Sequence, residues 1–424
     1  MILKKLSAIC AAAVLTASML TFSSVTFSAS AADGIKIDKN NFPDKFFREY
    51  VVSGFDKNND GILSQKEIKD VKKINIYESE ISSLDGVGYF TELEYLTCSS
   101  TGLTELDVSK NTKLIELDCS YNKIKELDVS NNKRLECLYC ESNRLTSLDV
   151  SRNKKLILLL CGDNKLKSID VSKNEMLYVF SCDKNLLTNL DVSKNTWLGI
   201  LICWENRLKE LDVSNNTRLE YLYCGTNKLK KLDVSNNPDL YVLDCEKNAL
   251  TNLDLSKNPE LSMLYCSGNK LKDLDLSSNP NISYLNCTDN LLEKIELCKN
   301  ADMIELDCSN NKLKTLDISG VKYILRLKCG GNKLTSLDAG KSNVYEIECD
   351  KCKFGISAKV GDKFDLSKLE KYGFDPERAR HWNGADYDED TNTITIEKKT
   401  ITYDYYTNES KDHTIKFTLV VTGK

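Results

Sequence analysis

Over most of its 424 residues the chain repeats one arrangement of apolar and polar positions with a period of 21. The pattern is L-x-x-L-x-C-x-x-N-x-L-x-x-L-D-V-S-x-N, as in Leu114, Leu117, Cys119, Asn122, Ile124, Leu127, Asp128, Val129, Ser130 and Asn132. Self-similarity at such a period marks a solenoid, whose turns cannot bury their apolar face alone. Within a turn, L-x-C alternates as a short strand, which points Leu117 and Cys119 into the core and Asp118 outward. Strands of successive turns stack in parallel about 4.8 Å apart, predicting one long sheet on the inner, concave side.

Cysteines keep time. They recur every 21 residues from Cys98 to Cys329, and Cys349 follows one residue early. Cysteine behaves as a small buried hydrophobe, so the ladder reads as a packing column. Parallel side chains one strand apart do not meet disulfide geometry, which predicts reduced, buried thiols. Cys137 and Cys298 lie off the ladder, and Cys349 with Cys352 forms a C-x-x-C that reads as a small buried filler or, alternatively, as a redox or metal pair. Three residues after each ladder Cys, from Asn122 to Asn332, stands an Asn whose amide can satisfy backbone groups at the bend. A column of Asp from Asp107 to Asp338, with Glu296 in register, reads as Asx and Ser turns opening the convex side.

The pattern resembles the leucine-rich repeat over roughly residues 74–353, with Cys standing where a third Leu is usual. The resemblance implies an α/β-type solenoid, a right-handed superhelix with the parallel sheet on its concave face.

Two flanking segments break the period. Residues 56–67, DKNNDGILSQKE, match the calcium loop D-x-[DN]-x-[DN]-G-x5-E throughout. By position Asp56, Asn58 and Asp60 offer side-chain oxygens, Gly61 the sharp turn, Ile62 its carbonyl, Ser64 a direct or water-mediated contact, and Glu67 a bidentate carboxylate. With helical spacing on both sides, residues 33–73 resemble an EF-hand helix-loop-helix. A single such unit ahead of a solenoid is similar to the N-terminal cap of secreted bacterial leucine-rich repeat proteins such as internalins, so Ca2+ is expected to stabilise the cap. Ile76 holds the Cys position of an atypical first turn. Residues 354–424 alternate with period two in TITIEKKTITYDYY and TIKFTLVV, predicting a small β module that closes the open end.

Residues 1–32 read as a signal peptide: Lys4 and Lys5, an apolar run, then small residues before Asp33. A secreted or extracellular protein is expected, without lipid or covalent wall anchor and without a membrane span. The net charge of -5 offers no basic footprint for nucleic acid. The two histidines, His381 and His413, sit in no recognised catalytic spacing, and no nucleophile elbow, zincin helix or phosphate loop occurs, so no enzyme is expected.

A binding surface is expected instead. Outward strand positions on the concave face form two columns, and the middle turns carry Tyr139, Leu160, Ile200, Ile202, Trp204, Tyr221, Tyr223, Met263, Tyr265 and Tyr284, with charges at both ends. Contiguous apolar surface with a polar rim marks interaction sites, with Tyr and Trp as anchors. The expectation is an adhesin-like, monomeric binding protein that recognises a protein or glycan at a cell surface. The alternative is a carbohydrate-binding or cellulosome-associated accessory protein, using a dockerin-like calcium loop and the concave aromatics.

Overall fold

The computed structural model describes residues 34–77, 80–299, 302–337, 343–407 and 414–422. The expected signal peptide, Asp338 and His413 lie outside them. The chain forms two compact units, Met1–Asn164 and Lys165–Lys424.

The first unit opens with the cap. Strand β1 (Ile35–Lys36) pairs antiparallel with β2 (Ile62–Leu63), and helices α1 (Lys45–Phe55) and α2 (Gln65–Asp70) flank the loop between them. Asp44 caps α1 by accepting the Phe47 N–H at 2.9 Å. Its second oxygen accepts the Ser82 N–H and hydroxyl, both at 2.9 Å, and so ties the cap to the first turn. Fully buried Phe42, Phe47 and Phe90 fill the joint between them. Strands β3 (Lys73–Asn75), β4 (Tyr95–Thr97), β5 (Glu116–Asp118), β6 (Cys137–Tyr139) and β7 (Leu158–Leu160) follow, each pairing in parallel with the next. Ile76 takes the Cys role: its N–H donates to Thr97 O, as the Cys98 N–H donates to Asp118 O.

In the second unit β8 (Val179–Ser181), β9 (Ile200–Ile202), β10 (Tyr221–Tyr223), β11 (Val242–Asp244) and β12 (Met263–Tyr265) continue the same construction. Short strands β13 (Asp273–Asp275) and β15 (Lys294–Glu296) pair with each other. Strands β14 (Tyr284–Asn286), β16 (Asp302–Asp307), β17 (Tyr323–Lys328) and β18 (Asn343–Glu348) complete the run, the last three lengthened to six residues.

Beyond β18 the chain forms β19 (Lys353–Ile356), β20 (Lys363–Asp365), β21 (Ala379–Asn383), β22 (Ala385–Asp388), β23 (Thr393–Ile396), β24 (Thr400–Tyr406) and β25 (Thr414–Val421). These make a four-stranded sheet, β19-β25-β24-β21, and a three-stranded one, β20-β23-β22. Tyr403, fully buried, donates its hydroxyl to Thr335 O at 2.5 Å and so docks this terminal module on the last turns.

Both units are parallel-sheet solenoids, as the repeat predicts, and the two α-helices among the described residues both belong to the cap. The segment opposite each strand is built from turns. From Asp107 to Asp317 each Asp of the column accepts the N–H two residues on, as Asp128 does from Ser130 and Asp233 from Ser235 at 2.8 and 2.9 Å. Those N–H and hydroxyl bonds from Ser hold the Asp128 and Asp233 carboxyls below the usual range.

The bend after each of β4–β12, β14 and β16–β18 turns on one left-handed residue, such as Tyr121 (φ 56), Glu205 (φ 51) or Thr226 (φ 51). A non-glycine residue there costs on the order of 1 kcal/mol. The Asn next in sequence offsets that cost. Asn248 Nδ2 donates to the carbonyls of Cys224, Cys245 and Glu246 at 3.1–3.2 Å, while its Oδ1 accepts the Leu229 N–H at 2.9 Å. One side chain thus satisfies backbone groups of two turns. The Asn that ends the repeat pattern, given no role by the sequence, forms a second column: Asn132, Asn216 and Asn237 are fully buried, each donating to two carbonyls of earlier turns. Nothing in the structure explains their Oδ1 atoms, which are buried without a hydrogen-bond partner.

The described ladder cysteines are buried, and Cys119 in the first unit and Cys224 and Cys245 in the second are free thiols. Burial pushes their pKa values up, so they remain protonated packing groups.

Candidate binding face and cap

On each three-residue strand of the second unit the central side chain points inward and its neighbours outward. Leu222 is fully buried between half-buried Tyr221 and Tyr223. Register aligns Tyr221 with Ile200 and Val242, and Tyr223 with Ile202 and Asp244. Asp244 is followed by Tyr265 and Asn286. Two rows of outward side chains result, with Trp204 just beyond the second and Lys184 Nζ 4.8 Å from the Trp204 ring centre.

Of the ten expected face residues, Tyr139 and Leu160 belong to the first unit and the other eight to the second. Ile202, Trp204, Tyr221, Tyr223, Met263, Tyr265 and Tyr284 are half-buried. Two expectations need correction: Leu160 is only 4% exposed and Ile200 only 5%, so both fill the sheet surface and present little to a partner. A branched side chain with neighbours about 4.8 Å away on either side is shielded by them even when it points outward.

Sequence reasoning missed the more exposed apolar groups, which sit just before the strands. Trp197 is 54% exposed, with the Arg218 guanidinium 3.9 Å over its ring, and Met176 one turn earlier is 51% exposed. Tyr241, 41% exposed, meets Tyr221 edge-on at 6.0 Å. Gly199 lets the Tyr178 ring lie across its turn, because a Cβ there would stand 2.3 Å from that ring, and the Tyr178 hydroxyl reaches Glu220 at 3.3 Å. A signal existed: the column Lys113, Arg134, Lys155, Met176, Trp197, Arg218, Asp239, Glu260 is charged except at two adjacent turns.

The charge pattern changes along the rows. Burial pushes the Asp244 carboxyl up to about 6. Glu246 Oε1 is fixed by the Ser267 hydroxyl at 2.5 Å and the Asn286 amide at 3.1 Å. Farther along, opposite charges pair, Lys328 with Glu305 at 3.2 Å and Arg326 with Glu346 at 2.8 Å.

In the cap, the loop between α1 and α2 has the turn geometry the calcium motif requires, with Asn59 at φ 59 and Gly61 at φ 77. Asp56 Oδ2 accepts the Gly61 N–H at 2.9 Å, and Asp56 Oδ1 is buried without a hydrogen-bond partner. Asn58 Oδ1 and Asp60 Oδ1 accept the N–H groups of Asp60 and Ile62 at 3.1 and 2.8 Å. Glu67 is engaged elsewhere. It accepts the Ser64 hydroxyl and N–H at 2.7 and 2.8 Å and the Lys57 N–H at 2.7 Å, and Ser64 above all holds its carboxyl below the usual range. Among the described residues no three His, Cys, Asp or Glu side chains converge as a metal cluster. The orphaned Asp56 oxygen fits a cation; Glu67 would have to exchange its N–H partners for one.

No protein-family model matches the sequence, and no curated protein does. Among solved structures, the functional domain of InlJ from Listeria monocytogenes, described as including a cysteine ladder, matches with a TM-score of 0.66 at 26% identity, over 94% of this chain and 100% of that one. An internalin of the same organism, InlF, matches with 0.63 at 22% identity over 74% and 97%. The leucine-rich repeat ectodomain of the Arabidopsis thaliana receptor kinase GASSHO1/SCHENGEN3, solved in complex with CASPARIAN STRIP INTEGRITY FACTOR 2, matches with 0.54 at 19% over 68% and 38%. The latter two carry the fold alone. In fold the chain is a leucine-rich repeat solenoid similar to bacterial internalin-type proteins.

Proposed function

We propose that this is a secreted, non-enzymatic recognition protein that holds a protein ligand on the open sheet face of its second unit, in the manner of an adhesin. One observation carries the reading: Ile202, Trp204, Tyr221, Tyr223 and Tyr265 lie half-buried in adjoining rows, with exposed Tyr241 meeting Tyr221 edge-on. Such aromatic groups supply large contact area at low entropic cost and dominate interface energetics. The likeness to the functional domain of InlJ supports a protein partner. Residues 1–32 are the proposed export signal, and binding rather than catalysis is the proposed activity.

The test is retention of surface proteins on the immobilised mature chain, beside a variant carrying Ile202→Ser, Tyr221→Ser and Tyr223→Ser. A partner held by the parent and lost by an equally stable variant supports the proposal. Equal retention by both contradicts it.

Ca2+ at Asp56, Asn58, Asp60, Ile62, Ser64 and Glu67 is proposed to stabilise the cap, supported by the bare, buried Asp56 oxygen and the glycine turn. Binding to the folded state raises stability by mass action, with an affinity on the order of 0.1–1 mM for an extracellular module. Calcium at several millimolar should raise the melting temperature of the parent and leave Asp56→Ala unmoved. An unchanged parent would remove calcium from the account.

A further inference from the structure

The last turn departs from the ladder at one residue. Three positions after each ladder Cys from Cys119 to Cys329 stands an Asn, but three positions after Cys349 stands Cys352. Its thiol occupies the amide's place. Cys352 Sγ reaches Cys329 O at 3.4 Å, where Asn332 Nδ2 reaches Cys308 O at 3.0 Å one turn earlier. The Leu334 N–H faces the Cys352 sulfur, as the Leu313 N–H faces Asn332 Oδ1.

The exchange of amide for thiol brings two sulfurs together. With Lys351 in the left-handed bend at φ 58, Cys349 Sγ and Cys352 Sγ stand 3.4 Å apart. Strand β19 begins at the next residue, Lys353, whose N–H donates to Asn332 O at 3.0 Å, and β19 pairs with β25 of the terminal module. The contact therefore lies at the junction between the last turn and that module. A sulfur ligand set for metal is not supported, since no cluster of three converges among the described residues.

We propose that Cys349 and Cys352 form a reversible disulfide, closed by exchange with a low-molecular-weight disulfide, which staples the last turn where the terminal module begins. In the first step one protein sulfur bonds to a sulfur of the small disulfide, whose S–S bond breaks and releases one thiol bearing the protein's proton. In the second, the other protein sulfur displaces the remaining half. Two protein thiols are oxidised and one small disulfide is reduced to two thiols. Both protein thiols are buried, so exchange waits on local opening of this turn, beside the exposed residues Asp350, Lys351 and Lys353.

The test uses the folded mature protein, incubated with oxidised glutathione, quenched in acid, unfolded, alkylated and mapped by mass spectrometry. The expected result is loss of two alkylation sites, with a bond mapped to Cys349–Cys352, while Cys224 and Cys245 stay alkylatable. Amide hydrogen exchange at Phe354–Ile356 is expected to slow in the oxidised form. Cys352→Asn restores the ladder residue, and should fold and lose the response to oxidant. Full alkylation of both sulfurs, a bond mapped to Cys329–Cys349 instead, or unchanged exchange after closure would each overturn the proposal.

Discussion

Along one strand of the second unit, Tyr221, Leu222 and Tyr223, the chain does two unlike things at successive residues. Leu222 repeats a residue found at nearly every turn and is fully buried, while the tyrosines flanking it differ from their counterparts at almost every turn and stay half-exposed. The inward side must stack identical layers, and so it tolerates one solution: Leu, a Cys column and an Asn that satisfies the bend. The outward side has only to avoid clashes, and its composition is free to follow a partner. Constraint inside and freedom outside are what divide stability from recognition here.

Several substitutions would break or sharpen that division. Leu222→Ala should cost about 2–5 kcal/mol in denaturant unfolding, because a rigidly stacked layer cannot collapse onto the cavity. Asn227→Ala should cost about 1–3 kcal/mol. It removes three donations, to Cys203, Cys224 and Gly225 carbonyls, and the acceptor of the Leu208 N–H. A loss below a few tenths would mean that water replaces the amide.

Asp244→Asn should act in the opposite direction and only at high pH. A carboxyl raised to about 6 in the fold is harder to ionise there than in the unfolded chain. The folded state therefore loses stability as pH rises from about 4 through 6. The amide should raise stability by up to about 3 kcal/mol at pH 8 and by no more than a few tenths at pH 4, measured by urea titration at both. A gain that did not depend on pH would show that ionisation is not the cause.

How much of this was readable in the sequence follows the same line. The strands, the buried thiols, the Asn at each bend and the Asp turns are fixed by a period repeated a dozen times, and the aromatic middle of the second unit was visible as well. Exposure was not. Ile200 and Leu160 point outward by alternation, yet neighbouring strands shield them, a consequence of strand spacing that no pattern of one strand contains. Trp197 was overlooked because it lies outside the strand, where only comparison down the column reveals it among charged residues. The division at Asn164 falls inside an unbroken repeat, so the sequence carries no mark of it.

The most direct test compares two variants one residue apart, Leu222→Ala and Tyr223→Ser, for both unfolding free energy and affinity for a partner retained by the parent. Leu222→Ala is expected to lose stability while its folded fraction keeps the parent's affinity, and Tyr223→Ser to keep stability within about 1 kcal/mol while affinity falls about tenfold or more. Unchanged affinity in Tyr223→Ser would contradict the assignment of recognition to this face.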